Sequence, residues 1–202
     1  MHKSSYIKMN NFVDKYLSDK INEELVIFDL GSQDVNGTYK DIFKNPLWKY
    51  IGCDISAGKN VDIVLSYPYD WKEVESNSMD VVISGQAFEH IEYFWNTMME
   101  LVRVLKVDGM GCIIVPGIWP EHRYPLDCWR FYPDGLSTFA KFAGVKVIEV
   151  FTTWIDPYQK AANEVDSVLI FKKVKLSESE KLKQDTKIEL VKSLVKDYEI
   201  NI

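Results

Sequence analysis

The strongest constraint on the fold is a succession of short, nearly unbroken apolar runs, most of them ended by an acid or a glycine. "ELVIFDL", "WKYIGCDI", "NVDIVL", "MDVVISG" and "VDGMGCIIVPG" follow one another between residues 24 and 117. A strand that is apolar on both faces has to be covered on both faces, as strands of a parallel sheet are. The last two runs, "VKVIEVFTTW" and "EVDSVLIFKKV", have no helix between them, so they read as a closing hairpin. The pattern predicts an α/β domain: a doubly wound, mostly parallel seven-stranded sheet with a C-terminal antiparallel hairpin and helices on both faces.

Helical patterns fill the gaps. Residues 4–20 carry Ile7, Phe12, Val13, Tyr16 and Leu17 near helical spacing. "TYKDIFKN" reads as a short helix stopped before Pro46, and Ala87 to Leu105 as a long one. "PDGLSTFAKFAG" has Pro133 and Asp134 at its start and Gly144 at its end, which is helix punctuation. Residues 117–133 have no period and read as a long ordered loop. At 202 residues the chain has the size of one domain, assigned to 1–175, with 176–202 a charged C-terminal helix or extension.

Ligands of such sheets sit outside the carboxyl ends of the strands, which directs attention to "VIFDLGSQDVNG". Gly31 ends the first strand where the backbone must turn closely, and Ser32, Gln33, Asp34 and Asn36 offer polar groups. The spacing is neither GxGxxG nor a P-loop, so a pyrophosphate or a nucleoside triphosphate is not the natural guest. Asp34 adds an acid close to Asp29, and carboxylates repel phosphate but attract ammonium or sulfonium. Asp54, ending the second strand, stands where an acid accepts ribose hydroxyls. An adenosine ligand with a cationic tail therefore fits better than a nicotinamide dinucleotide, unless the three acids only cap turns.

The order "VIFDLGSQDVNG", "YIGCDIS", "MDVVISGQAFEHI", "ELVRVLKVDGMGCIIVPG" resembles the class I, Rossmann-like S-adenosylmethionine-dependent methyltransferases of the type 11 group, over about Leu25 to Phe171. Gln33 and Val35 stand where that family's first motif has its later glycines, and Val107 and Asp108 replace Pro and Gly of its "RVLKPGG" turn. The Gly-Ser-x-Asp-x-Asn-Gly form is similar to a subgroup associated with surface-glycan genes. The resemblance implies S-adenosylmethionine as cofactor and S-adenosylhomocysteine as product. It places Asp29, Gly31, Ser32 and Gln33 along the methionine part and Asp54 and Ile55 at the ribose and adenine. Asp70 and Trp71 of "YPYDW" become an adenine wall, and Gly85 and Gln86 lie beside the sulfonium.

A hydroxyl acceptor must lose its proton as the methyl bond forms, and a histidine is a natural base near neutral pH. Of three histidines, His2 sits at the terminus and is set aside. His90 sits in "GQAFEHIEYFW" and His122 in "WPEHRYPLDCWRFYPDG"; either can serve as base, with His122 on the acceptor side. Around His122, Arg123, Tyr124, Asp127, Trp129 and Arg130 read as substrate-binding groups, since Arg forks onto anions and aromatic faces stack on sugar rings. The alternative is an internal Asp127–Arg salt bridge pinning a lid. Glu89, Glu92, Asp127 and His90 can also be read as ligands of a divalent ion, but no ligand spacing is defined and no metal is assigned.

A net charge of −6 argues against a broad grip on nucleic acid or an anionic bilayer, so the expected partner is a small molecule or glycan. The start "MHKSSYIKMNNF" has no apolar core of signal-peptide length, no apolar stretch reaches a membrane span, and Cys53, Cys112 and Cys128 form no CxxC pair. A cytoplasmic setting is expected. Methylation of a sugar hydroxyl is the leading reading. Methylation of another small molecule or an amine, an NAD-dependent sugar oxidoreductase or epimerase using Tyr16 and Lys20 (a YxxxK spacing), and a non-catalytic cofactor-binding scaffold are the alternatives.

Overall fold

The computed structural model describes residues 3–123, 125–153 and 165–196; Tyr124, His2 and residues 197–202 therefore lie outside it. Strands β1 (Leu25–Leu30), β2 (Trp48–Asp54), β3 (Ile63–Val64), β4 (Met79–Gly85), β5 (Leu105–Ile118), β6 (Lys146–Thr152) and β7 (Val165–Lys172) form one sheet in the order β3-β2-β1-β4-β5-β7-β6. The first five pair in parallel, and β7 runs antiparallel to both β5 and β6. The sheet predicted from the sequence is the sheet observed.

Alternate residues of β1 explain its unbroken apolar run. Leu25 and Ile27 join one core layer, whereas Phe28 and Leu30 join the other. Helix α1 (Lys3–Tyr16) covers the first face with Met9, Phe12 and Val13. Helices α2 (Phe94–Val104) and α3 (Pro133–Ala143) cover the second, and α4 (Glu178–Val195) joins them through half-buried Ile188 and Val191. Gly144, at φ +75°, ends α3 in the left-handed cap its position predicts.

Three expected helices come out shorter. The first ends at Tyr16 and continues as a 3₁₀ turn, Ser18–Lys20; "TYKDIFKN" holds only a 3₁₀ turn, Lys40–Ile42. After β4 the chain makes a 3₁₀ turn, Phe88–His90, before α2 starts at Phe94. That turn buries Phe88 and Glu89 completely.

The charged tail is a helix built into the domain. Ser177 and Glu180 form a capping box at its start. Residues 65–78, between β3 and β4, hold no helix, and α4 lies beside them against α2. Tyr67 donates its hydroxyl to the Val195 carbonyl, Asn96 Nδ2 donates to Val191 O at 2.9 Å, and Gln184 Nε2 donates to Ala143 O at 2.8 Å. Lys192 bridges Asp70 and the buried Glu100 at 2.8 and 2.9 Å. Among the described residues no helix is long and apolar enough to cross a membrane.

Candidate active site

Strand order reverses at β1: β2 lies on one side, β4 on the other. The loops leaving the carboxyl ends of β1, β2, β4 and β5 meet there, as expected of a doubly wound sheet. Gly31 opens the first loop at φ +78°, and a Cβ built on it would stand 2.5 Å from the Ala87 Cβ. The chains leaving β1 and β4 touch at that point, so both the dihedral and the space demand glycine. Gly31→Ala is expected to lose about 1–3 kcal/mol of stability, read as a shifted urea midpoint. Adding Ala87→Gly should recover only the part due to overlap. Gly85, ending β4, is required for a second reason: the Tyr39 hydroxyl occupies the space a side chain would need, held by Ser5 Oγ of α1 at 2.5 Å.

The acids do different things. Asp29 is 2 % exposed. Its Oδ2 accepts from the Tyr50 hydroxyl, and its Oδ1 has no hydrogen-bond partner among the described residues. Burial pushes its carboxyl up to about 7. Asp54 holds the two loops together, accepting Gln33 N on Oδ2 and Ser56 N on Oδ1, both at 3.2 Å. Asp34, expected to contribute negative charge to a ligand, is committed elsewhere. Lys59 pairs with it at 2.5 Å and Gly37 N donates to it at 2.8 Å, which holds its carboxyl below the usual range. Ser32 is buried and donates to Asn60 O at 3.0 Å, while Gln33 Nε2 reaches Ala57 O at 3.4 Å. Asn60 answers with bonds to Ser32 O, Thr38 and Tyr50. Ile55 packs half-buried on the core beneath this loop.

Two further expectations are corrected. Trp71 is no ligand wall: it is 1 % exposed, packs on Phe28 and donates its indole N–H to Pro68 O. Asp70, its neighbour, is tied to Lys192 of α4.

Gln86 follows β4 at φ +57°. Its Nε2 donates to Asp166 Oδ1 at 3.0 Å, and its Oε1 is buried without a partner among the described residues. Asp166, 1 % exposed at the start of β7, also accepts from Ser4 at 2.7 Å and faces Lys8 at 3.5 Å. The first turns of α1 are thereby fastened to the rim of the site. Asp166, Tyr39 and Asn60 were not singled out in the sequence. A lone acid inside the apolar run "EVDSVLIF" was the available signal for the first; the other two had none.

The loop after β5 closes the other side. His90 Nδ1–H donates to Leu126 O at 2.6 Å, so in the neutral ring Nε2 is the unprotonated nitrogen; burial lowers the ring's pKa and favours that neutral form. His122 lies edge-on to it, ring centroids 5.0 Å apart, with Nδ1 3.2 Å from Pro120 O. The fold thus brings together two histidines 32 residues apart in sequence. Beside them Glu89 is 0 % exposed with neither carboxylate oxygen hydrogen-bonded among the described residues, and burial pushes it up to about 8.

Asp127 and Arg130 form the internal bridge, the alternative weighed for this cluster. Arg130 clamps Asp127 through both guanidinium nitrogens at 2.5 and 2.7 Å and donates to the Trp119 and Pro120 carbonyls. This holds the Asp127 carboxyl well below the usual range. Asp127 also accepts His122 N at 2.7 Å. These two residues fix the loop, and Arg130 is thereby engaged rather than open to grip an anion as expected. Trp129 pins it to the start of α2 by donating to Ile91 O and Glu92 O. Arg123 is exposed and pairs with Glu121; Tyr124 lies outside the described residues. Tyr16 and Lys20 sit at the opposite end of the sheet, where Lys20 O accepts the Trp48 indole at the first residue of β2.

Residues 29–113 match the family described as "Methyltransferase domain", of type 11. No curated protein matches the chain. Solved structures of similar fold include the YcgJ protein from Bacillus subtilis, 13 % identical, with a TM-score of 0.62 over 87 % of this chain and 100 % of that one. A SAM-dependent methyltransferase from Aquifex aeolicus is 16 % identical, with a TM-score of 0.54 over 86 % of this chain and 100 % of its own. The 1,6-didemethyltoxoflavin-N1-methyltransferase of Burkholderia thailandensis, solved with 1,6-didemethyltoxoflavin and S-adenosylhomocysteine, is 13 % identical, with a TM-score of 0.60 over 85 % of each chain.

Proposed function

With a methyltransferase domain over residues 29–113 set in a Rossmann-like methyltransferase fold, we propose that the chain is an S-adenosylmethionine-dependent O-methyltransferase acting on a sugar hydroxyl of a surface glycan or of its nucleotide-linked precursor. The cofactor is S-adenosylmethionine. It supplies a methyl group on a sulfonium sulfur, ready for in-line displacement.

The observation that carries the reading is a pair of buried acceptors with no donor among the described residues, Asp29 Oδ1 and Gln86 Oε1. They stand at the carboxyl ends of the two central strands, β1 and β4. Buried acceptors are nearly always satisfied, so these fit a ligand that brings its own N–H or O–H donors, as an aminoacyl tail does. Asp54 would hold the ribose, since among the described residues each of its oxygens accepts one backbone N–H. The negative end of the tail would lie near Lys8.

On the acceptor side, His90 offers a neutral Nε2 beside His122, suited to drawing the proton from a hydroxyl as the methyl bond forms. A positioned base contributes about 10²- to 10⁴-fold. The partly exposed faces of Trp129 and Tyr132 provide the flat apolar surface a sugar ring stacks on. Of the two proposed acceptors the glycan itself fits better than the anionic nucleotide-linked precursor, because Arg130 is engaged by Asp127 and Arg123 has Glu121 beside it. Methylation of another small molecule remains the second reading within the class.

Calorimetric titration separates this from the nicotinamide reading: S-adenosylmethionine and S-adenosylhomocysteine should bind, and NAD should not. Turnover is then sought with a panel of glycans and nucleotide sugars. His90→Ala should lose about 10²- to 10⁴-fold in rate while donor affinity is unchanged; a normal rate removes the histidine from the chemistry.

A further inference from the structure

Glu89, His90 and His122 each present one ligand atom, and the three atoms lie within 4.8 Å of one another. We propose that these residues form a binding site for one divalent transition-metal ion at the acceptor mouth.

Three features carry it. The first is spacing. Ligand atoms about 2.1 Å from a tetrahedral metal are about 3.4 Å apart, and Glu89 Oε1 stands 3.6 Å from His90 Nε2. The second is the state of Glu89: fully buried, with neither oxygen hydrogen-bonded among the described residues. A buried acid with no donor is rare, and a cation is the partner that two neighbouring imidazoles cannot themselves provide while neutral. The third is the arrangement behind the ligands. Metal-bound histidines give their other nitrogen to a carbonyl or carboxylate. His90 gives Nδ1–H to Leu126 O at 2.6 Å, and His122 has Nδ1 by Pro120 O at 3.2 Å and Asp127 Oδ2 at 3.7 Å.

The donor set decides the metal. Two imidazoles and one carboxylate suit zinc, manganese or iron and not magnesium or calcium, which take oxygen ligands. Asp127 is excluded as a ligand because Arg130 and the His122 amide occupy it. His122 is 40 % exposed, so the site faces solvent on one side, where an oxygen of water or of the acceptor would complete the shell. With the metal bound, His90 would hold it, and an acceptor hydroxyl on the cation would have its pKa lowered and give its proton to solvent; without the metal, His90 Nε2 is the base of the proposed reaction. That consequence rests on the methyl-transfer reading; the binding does not.

The test uses the full chain after chelator treatment, titrated calorimetrically with zinc, manganese, magnesium and calcium chlorides, and separately with S-adenosylmethionine. One equivalent of zinc or manganese should bind, and magnesium and calcium should not. Glu89→Gln and His122→Ala should each weaken zinc by more than the ~10- to 100-fold that losing an outer partner of a ligand costs. Glu121→Gln, on the same loop, should bind normally. Should Glu89→Gln misfold, His122→Ala on the exposed loop carries the test alone. Failure of zinc and manganese to bind, or binding that survives His122→Ala, overturns the site. Donor binding without metal binding would leave the methyltransferase reading standing, and metal without donor would do the reverse.

Discussion

Replacing Glu100 by alanine should cost the fold about 3 kcal/mol and lower its melting temperature by roughly 6–12 °C. Glu100 is fully buried on α2 yet is the meeting point of three groups. Trp71 N donates to it at 2.8 Å, Arg103 through Nε and Nη2 at 2.9–3.1 Å, and Lys192 of α4 at 2.9 Å. Removing the carboxylate strands the buried Trp71 amide and leaves two cations facing each other. Breaking a buried ion pair from one side costs about 3–5 kcal/mol. The lower end applies here, because Arg103 and Lys192 keep 20 % and 23 % of their side-chain surface and can be rehydrated. Glu100→Gln, which keeps an acceptor for Trp71, should lose less. A midpoint shifted by under 1 kcal/mol would mean that α4 is not held through this network.

The same network shows where sequence reading reached its limit. The strands were legible because each is buried on both faces and so spells an apolar run; β1 divides its residues between the two core layers in strict alternation. The tail was read only as a charged helix or an extension, and its charge gave no sign that it lies beside residues 65–78 and against α2. Lys192 looks like any solvated lysine until Glu100 is placed beneath it. "YPYDW" misled for a related reason: an aromatic that walls a ligand and one that fills the core have the same letters, and only the packing of Trp71 on Phe28 separates them.

In the site, spacing along the chain decided what could be read. Asp127 and Arg130, three residues apart, were legible as a pair. Asp34 and Lys59 were not, being 25 residues apart and joined only because the loops after β1 and β2 run side by side. The two histidines were found by residue type and their closeness came from the fold. Glu89 was noticed only as one of several acids; what distinguishes it is burial without a partner, which has no signature in sequence.

Asp54→Ala is expected to weaken S-adenosylmethionine binding by at least a hundredfold while the chain stays folded. A charged acceptor contributes about 1.5–3 kcal/mol per hydrogen bond, so two ribose hydroxyls account for about 3–6 kcal/mol, and each 1.4 kcal/mol is a factor of ten in affinity. The substitution also frees Gln33 N and Ser56 N, which loosens the loop but strands little, because both groups lie near the surface. The unfolding midpoint should therefore shift by only about 1 kcal/mol. Asp54→Asn separates the contributions: one acceptor oxygen survives without the charge, so affinity should fall between those of the native chain and the alanine variant. Calorimetry on the three proteins, with urea unfolding in parallel, reads both quantities. Native affinity in Asp54→Ala would move the ribose away from the tip of β2 and with it the whole placement of the cofactor.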